Sequence, residues 1–272
     1  MVPSFDNLRT SNVGGVVIRP NPSTSHLADQ VVIVTGAGSG IGRATAAAFA
    51  TAGARVLGVG RRAEALTATA ALHPAIAAFP ADVSQDGGPE AVIEAAVERW
   101  GRIDVLVNNA GVFAAMPLSQ VTGPRITQVL ATNVVAPSLL AGAALPYLKV
   151  SRGAIVNISS TFGHRPAAGA AHYGASKAAL EQLTRSWALE LAPDGIRVNA
   201  VAPGPTESEA LTAAGLPDTV IDQVKIDEAA AIPLGRRGDP AEIATWILRL
   251  ADGHTAWLTG QVLTVDGGLE LT

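Results

Sequence analysis

The stretch QVVIVTGAGSGIGRATAAAFATAG, Gln30 to Gly53, decides the fold. Gln30–Thr35 is an apolar, β-branched run and reads as a buried strand. Ile41–Ala52 is alanine-rich and reads as a helix. Between them the glycines follow G-x-x-x-G-x-G (Gly36, Gly40, Gly42), not G-x-G-x-x-G, because Ile41 and Arg43 occupy the positions a third glycine would need. Glycines permit a tight turn and close backbone approach. The helix start then offers unpaired N–H groups to a phosphate or pyrophosphate. No Lys-Ser/Thr pair follows, so the turn is not a P-loop.

The same alternation continues outward. Strands are expected at Arg55–Gly60, Ile76–Pro80, Ile103–Val107, 153–159, 196–201 and 261–265. Helices are expected at Ala63–Leu72, Pro89–Trp100, near 124–148, at 172–192 and at 240–251, with a looser stretch over 204–236. Continuous apolar strands alternating with helices imply α/β architecture: a doubly wound parallel sheet covered on both faces. No linker divides residues 27–272, which are expected to form one domain. Ligands should bind beyond the carboxyl ends of the strands.

Composition narrows the function. The 272 residues are 48% hydrophobic and 15% charged, with net charge −4, which describes a soluble protein with a large core and no nucleic-acid surface. Absence of cysteine excludes disulfides, thiolate chemistry and metal–sulfur sites. Five histidines without an H-x-x-x-H pair indicate no metal site. Residues 1–26 are polar and broken by Pro and Gly, without the apolar centre of a signal peptide. They read as a flexible tail or an arm on a neighbouring subunit, and a cytoplasmic location is expected. Ile126–Leu148 carries no charge and is long enough to span a membrane. Gln128, Asn133, Gly142 and two prolines favour instead a buried helix, in the core or at a subunit interface.

The chemistry concentrates in AIVNISSTFGHRPAAGAAHYGASKAAL, Ala154 to Leu180, where a strand gives way to a helix. Tyr173 and Lys177 are four residues apart and share a helix face. An ammonium beside a phenol favours the phenolate, pulling the pKa down from its usual ~10. Such a tyrosine can trade a proton with an alcohol or carbonyl oxygen. His164, Arg165 and His172 flank the stretch and read as loop or helix-start residues, with contact to a substrate as the alternative. Phe113, Met116, Trp187 and Trp257 read as core or interface.

With TGAGSGIG (Thr35–Gly42), Asp82-Val83, NNAG (Asn108–Gly111), Asn133, Ser160, YGASK (Tyr173–Lys177), RVNAVAPG (Arg197–Gly204) and LTVDGG (Leu263–Gly268) in order, the chain resembles the short-chain dehydrogenase/reductase family from about residue 27 to its end. The resemblance implies a Rossmann-type sheet of about seven strands. It also implies hydride transfer between a nicotinamide and an alcohol or carbonyl. It assigns Tyr173 as general acid/base and Lys177 as its tuner and holder of the nicotinamide ribose. Ser160, thirteen residues before Tyr173, takes the substrate oxygen in preference to Ser159. Asn133 would hold a water linking Lys177 to solvent; it also reads as a helix-bend residue satisfying a backbone group, and the two roles are compatible. Gly36, Ser39, Gly40, Ile41 and Gly42 would cradle the pyrophosphate, Asp82 and Val83 the adenine, and Asn109, Ala110 and Gly111 the adenine-side ribose, with Asn108 bracing backbone. Pro203, Gly204, Thr206 and Ser208 would begin a lid beside the nicotinamide. Thr206 and Ser208 stand out of the family's usual Thr register, which leaves the carboxamide contacts open. By the same resemblance a homotetramer or homodimer forms through the long helices and the last helix and strand.

The dinucleotide follows from the end of the second strand. A carboxylate there would bond a ribose 2′-OH; Gly60-Arg61-Arg62 stand there instead. Two guanidinium groups suit a 2′-phosphate, so NADP(H) is the expected cofactor and NAD(H) the alternative. The apolar residues Leu211, Leu216, Val220, Ile221, Val224, Ile226 and Ile232 between Gly204 and Gly238 suit a partly apolar small-molecule alcohol or ketone. NAD-dependent alcohol oxidation by the same residues, or a non-catalytic cofactor-binding protein of this fold, are the competing readings.

Overall fold

In a computed structural model of the chain, the described residues are 26–208 and 217–272, with the backbone of 12–13 and 16–17. The tail expected over 1–26 lies outside them, save His26 and an antiparallel pairing of Asn12–Val13 with Val16–Val17. So do Leu211 and Leu216.

Seven parallel strands form one sheet: β1 (Val31–Thr35), β2 (Arg55–Gly60), β3 (Ile76–Pro80), β4 (Val105–Asn108), β5 (Ala154–Ile158), β6 (Arg197–Pro203) and β7 (Val262–Val265). Their order is β3-β2-β1-β4-β5-β6-β7. β1 therefore pairs β2 on one side (Val32 with Val56) and β4 on the other (Val32 with Val105). The winding reverses there, and a crevice opens beyond the strand ends.

Strand alternation sends Val32, Val34, Val105 and Val107 to one face and Ile33 and Leu106 to the other. The first face is covered by α1 (Gly40–Thr51), α2 (Ala63–Ala70) and α8 (Pro240–Ala251), through Phe49, Leu66, Ile243 and Ile247. The second is covered by α3 (Gly88–Trp100), α5 (Ala136–Ser151) and α6 (Ala171–Leu191), through Ile93, Leu140, Leu148 and Leu191. α8 starts on a capping box in which Asp239 and Glu242 satisfy each other's backbone amides, with Pro240 in the first turn.

The apolar helix is longer than expected. α4 (Gly123–Leu130) runs through a π turn at Ala131–Val135 into α5, one rod over Gly123–Ser151 that would be long and apolar enough to cross a membrane. Here part of it packs on the sheet. Pro137 has no N–H for the Asn133 carbonyl, which accounts for the wide turn. The loose stretch over 204–236 also contains a helix, α7 (Asp218–Ala231), that the reading of the sequence missed. Its Asp- and Ala-rich composition gives weak amphipathic periodicity, and of its residues only Ile221 is buried.

Candidate active site

A cleft of about 640 Å³ opens at the carboxyl ends of the strands. Gly36, Ser39, Gly40, Ile41, Gly42, Arg61, Arg62, Asp82, Val83, Asn109, Ala110, Gly111, Ser160, Tyr173, Lys177, Pro203, Gly204, Thr206 and Ser208 all line it. Asn133 does not.

The glycine turn forms a cradle that side chains would fill. Gly36 has φ +68°, and a Cβ there would stand 2.7 Å from Asn109 Nδ2. A Cβ on Gly42 would strike the Gly36 carbonyl and lie 2.5 Å from the same amide nitrogen. Ser39 makes no side-chain cap on α1, so the first-turn amides remain available to an anion. The turn is braced from outside. Arg43 donates to the Gly38 carbonyl and to Thr69 Oγ1, and Thr69 Oγ1 donates to the Ala37 carbonyl at 2.9 Å. Asn109 Nδ2 donates to the Thr35 carbonyl at 2.8 Å. Asn109 lines the cleft, and its amide also clamps the turn. Asn108, expected to brace backbone, donates instead to the Asn157 side chain, which donates to Thr184 on α6. A cradle of this shape, with cationic Arg61 at its rim, fits a dinucleotide.

Asp82 accepts from the Ser84 amide (3.0 Å) and hydroxyl (2.7 Å). Burial pushes its carboxyl up, but the Ser84 bonds and the nearby Arg61 charge outweigh that and hold it below the usual carboxylate range.

At the other end of the cleft, Ser160 stands beside the Tyr173 phenol, and Ser160 Oγ accepts from the Phe162 amide. The rival Ser159 turns inward and donates to Glu181 at 2.8 Å. Lys177 Nζ donates to the Ile158 carbonyl at 2.7 Å and lies 5.8 Å from the Tyr173 ring centre. Burial pushes the Lys177 ammonium down to about 8. The expected lowering of Tyr173 is not found in the protein alone. Burial raises the phenol, and the Ser160 hydroxyl only partly offsets it. The physical reason is desolvation: a half-buried phenolate loses more water than one distant, itself desolvated ammonium returns.

Asn133 is fully buried, and its amide is held by Val112 and Ser176: Oδ1 accepts from the Val112 amide (2.9 Å), and Nδ2 donates to the Val112 carbonyl (3.1 Å) and Ser176 Oγ (3.0 Å). The helix-bend reading describes this geometry. A Cβ on Gly111 would sit 3.3 Å from Lys177 Nζ and 3.4 Å from Asn133 Oδ1, so both side chains converge there.

Residues 36–270 match a family model described as enoyl-(acyl carrier protein) reductase, one of the short-chain dehydrogenase/reductase models. The chain belongs to the short-chain dehydrogenase/reductase family. A relative from Thermotoga maritima, 3-oxoacyl-[acyl-carrier-protein] reductase FabG, is 36% identical over 250 residues, covering 90% of this chain and 99% of the relative. A short-chain dehydrogenase/reductase of Caenorhabditis elegans, solved with cofactor, superposes with TM-score 0.85 at 36% identity, covering 90% of this chain and 97% of the other. The 3-ketoacyl-(acyl-carrier-protein) reductase of Brucella melitensis, solved with NADH, gives 0.83 at 31% identity, with 90% and 99% coverage. As a short-chain dehydrogenase/reductase, this protein is an oxidoreductase of CH–OH or carbonyl carbon that binds a nicotinamide dinucleotide.

Several residues of this short-chain dehydrogenase/reductase site escaped the sequence reading. Phe113, expected in the core or an interface, lines the cleft with its ring edge-on to Tyr173, centroids 5.1 Å apart. Phe162 joins it. The segment beyond Gly204 is tied down by Arg237, which donates to the Thr206 carbonyl at 2.6 Å and pairs with Glu207 and Glu228. Thr206 Oγ1 donates to the Gly204 carbonyl, so its hydroxyl folds back on its own segment. His164 lies between Glu181 (3.0 Å) and Glu270 (2.8 Å). Burial alone would lower its pKa, but the two carboxylates prevail and raise it. Glu181 had a legible signal: Tyr173, Lys177 and Glu181 repeat every four residues, so a carboxylate shares the buried face with the amine.

Proposed function

We propose that this chain is an NADP(H)-dependent oxidoreductase that interconverts a ketone and a secondary alcohol, with Tyr173 as general acid/base. The reading rests on one observation: Ser160 and Tyr173 stand together in the cleft, with Lys177 buried behind them and a glycine cradle at the far end. A bound nicotinamide supplies or accepts the hydride. Ser160 and Tyr173 would both donate to the substrate oxygen and fix the reacting carbon. A phenol raised by burial keeps its proton at neutral pH, which suits Tyr173 to protonate a forming alkoxide. Lys177 has three donors; the Ile158 carbonyl takes one, and the others would hold ribose hydroxyls and stabilise the phenolate. Asn133 would serve by fixing Val112 and hence the neighbouring Phe113, with one Oδ1 lone pair left for a relay water.

Arg61 and Arg62 are both exposed at the cleft rim and support a 2′-phosphate. Phe113 and Phe162 support a substrate with an apolar flank. Leu130, Val135 and Leu139 on the long rod, and Leu189 on α6, are exposed apolar residues that support a homodimer or homotetramer.

Fluorescence titration with NADPH and NADH, followed by a ketone panel with wild type and Tyr173→Phe, tests the proposal. NADPH should bind more tightly, and Tyr173→Phe should lose about 10²-fold or more in kcat. Tighter NADH binding would favour the NAD-dependent alternative. Turnover retained by Tyr173→Phe would refute the proton-transfer role.

A further inference from the structure

Behind Ser160 and Tyr173 lies a polar cluster that the reaction as described does not use. Glu181 is 3% exposed, on the face of α6 that also carries Tyr173 and Lys177. Its Oε1 accepts from Ser159 Oγ at 2.8 Å and meets His164 Nδ1 at 3.0 Å. Its Oε2 lies 3.7 Å from the Arg185 guanidinium. His164 Nε2 in turn meets Glu270 Oε2 at 2.8 Å, and Glu270 accepts from Thr264 Oγ1 on β7. The carboxylate approaches closely only because residue 163 is glycine: a Cβ there would lie 2.9 Å from Ser159 Oγ and 3.1 Å from the Glu181 carboxyl carbon.

A carboxylate this deep in the protein carries a desolvation penalty of several kcal/mol in general, so it must be held by donors. Two of its partners, Ser159 and His164, bracket Ser160 in the chain. Glu181 therefore grips, from α6, both ends of the turn that presents Ser160. The hydroxyl comes from β5's end and the phenol from α6, so their separation depends on how these two elements are joined.

We propose that Glu181 is a positioning residue, which with Ser159 and His164 locks the Ser160 turn to the helix bearing Tyr173 and so sets the distance between the two proton-handling oxygens. Glu270 extends the lock to the C-terminal segment through His164. This rests on the catalytic reading of Ser160 and Tyr173 given above.

The test uses the full-length protein with the ketone and dinucleotide that turn over. Glu181→Gln should lower kcat about tenfold to a hundredfold, as expected for misplacement on the scale of an ångström. The dinucleotide Kd and the ketone KM should stay within about twofold, a split that general loosening of the fold would not produce. His164→Gln should act in the same direction. The double variant should lose little beyond the worse single variant, because both substitutions break one linkage. A Glu181→Gln kcat within about twofold of wild type, with Tyr173→Phe inactive, overturns this proposal alone, as do losses that multiply in the double variant. Turnover retained by Tyr173→Phe overturns the parent reading as well. Should Glu181→Gln fail to fold, His164→Gln decides: its side chain is partly exposed, and an unchanged kcat there overturns the proposal.

Discussion

Replacing Asn133 by alanine separates two roles that one side chain can play. Three hydrogen bonds of 2.9–3.1 Å vanish together. Ser176 Oγ keeps a partner, since it donates to the Tyr173 carbonyl at 2.6 Å. The Val112 amide and carbonyl lose their Asn133 partner and do not regain it without moving. An orphaned, partly buried backbone group costs about 1–3 kcal/mol, and the space left by the amide adds a cavity penalty. About 2–4 kcal/mol is therefore expected in all. For a chain of this size 1 kcal/mol moves Tm by about 2–4 °C, so Asn133→Ala should melt roughly 5–15 °C below wild type by calorimetry without cofactor. The loop holding Phe113 should loosen with it and raise the ketone KM. A Tm within about 2 °C of wild type would refute the reasoning and leave Asn133 with only a solvent-relay role.

Gly42→Ala gains about 1 kcal/mol of helix propensity but drives a methyl into the Gly36 carbonyl and Asn109. Overpacking of about 1–3 kcal/mol should win, and dinucleotide Kd measured by fluorescence should rise at least tenfold. A Cβ on Gly60 meets only Leu66 carbons at 3.6 Å and beyond, so Gly60→Asp should fold normally and shift preference from NADPH toward NADH in parallel titrations. An unchanged ratio would count against the placement of the 2′-phosphate. Lys177, lowered to about 8 against an ordinary 10.5, binds fewer protons folded than unfolded between those values. Stability without cofactor should then rise with pH from about 8 to 10. Above 10 the raised Tyr173 opposes it, because the unfolded phenol ionises first. Thermal melts of wild type against Lys177→Met across that window should show the rise only in wild type.

The alternation of apolar strands and helices was legible because the inner strands of a covered parallel sheet are buried on both faces, and Val31–Thr35 and Ala154–Ile158 are buried throughout. α7 was not, since a helix with one buried residue leaves no stripe to read. The cleft-lining residues were named from local motifs, and chain-local geometry does bring them to one crevice. What local reading could not supply was direction. Ser159 and Ser160 look alike in sequence, yet strand alternation sends one hydroxyl to Glu181 and the other to Tyr173. Asn108 and Asn109 divide the same way, and both become braces. Phe113 was misread because its neighbourhood is fixed by Asn133, which lies twenty positions later in the chain. The tuning of Tyr173 was misjudged because spacing shows proximity to an ammonium but not the loss of water around both groups.

The wide turn at Ala131–Val135 has a consequence for how this chain can vary. Such a turn accommodates one more residue than regular α-helix allows, and one residue is worth roughly 100° of rotation. Leu140, Ala144 and Leu148 meet α3 and the sheet only in the phase set by that extra residue. Deleting one position here would make the backbone bonding more regular and yet swing the downstream apolar stripe off the core. Insertions and deletions should accordingly be purged from this segment while point changes on its outer side are accepted, and the irregularity persists as a counting device in the thread of the helix.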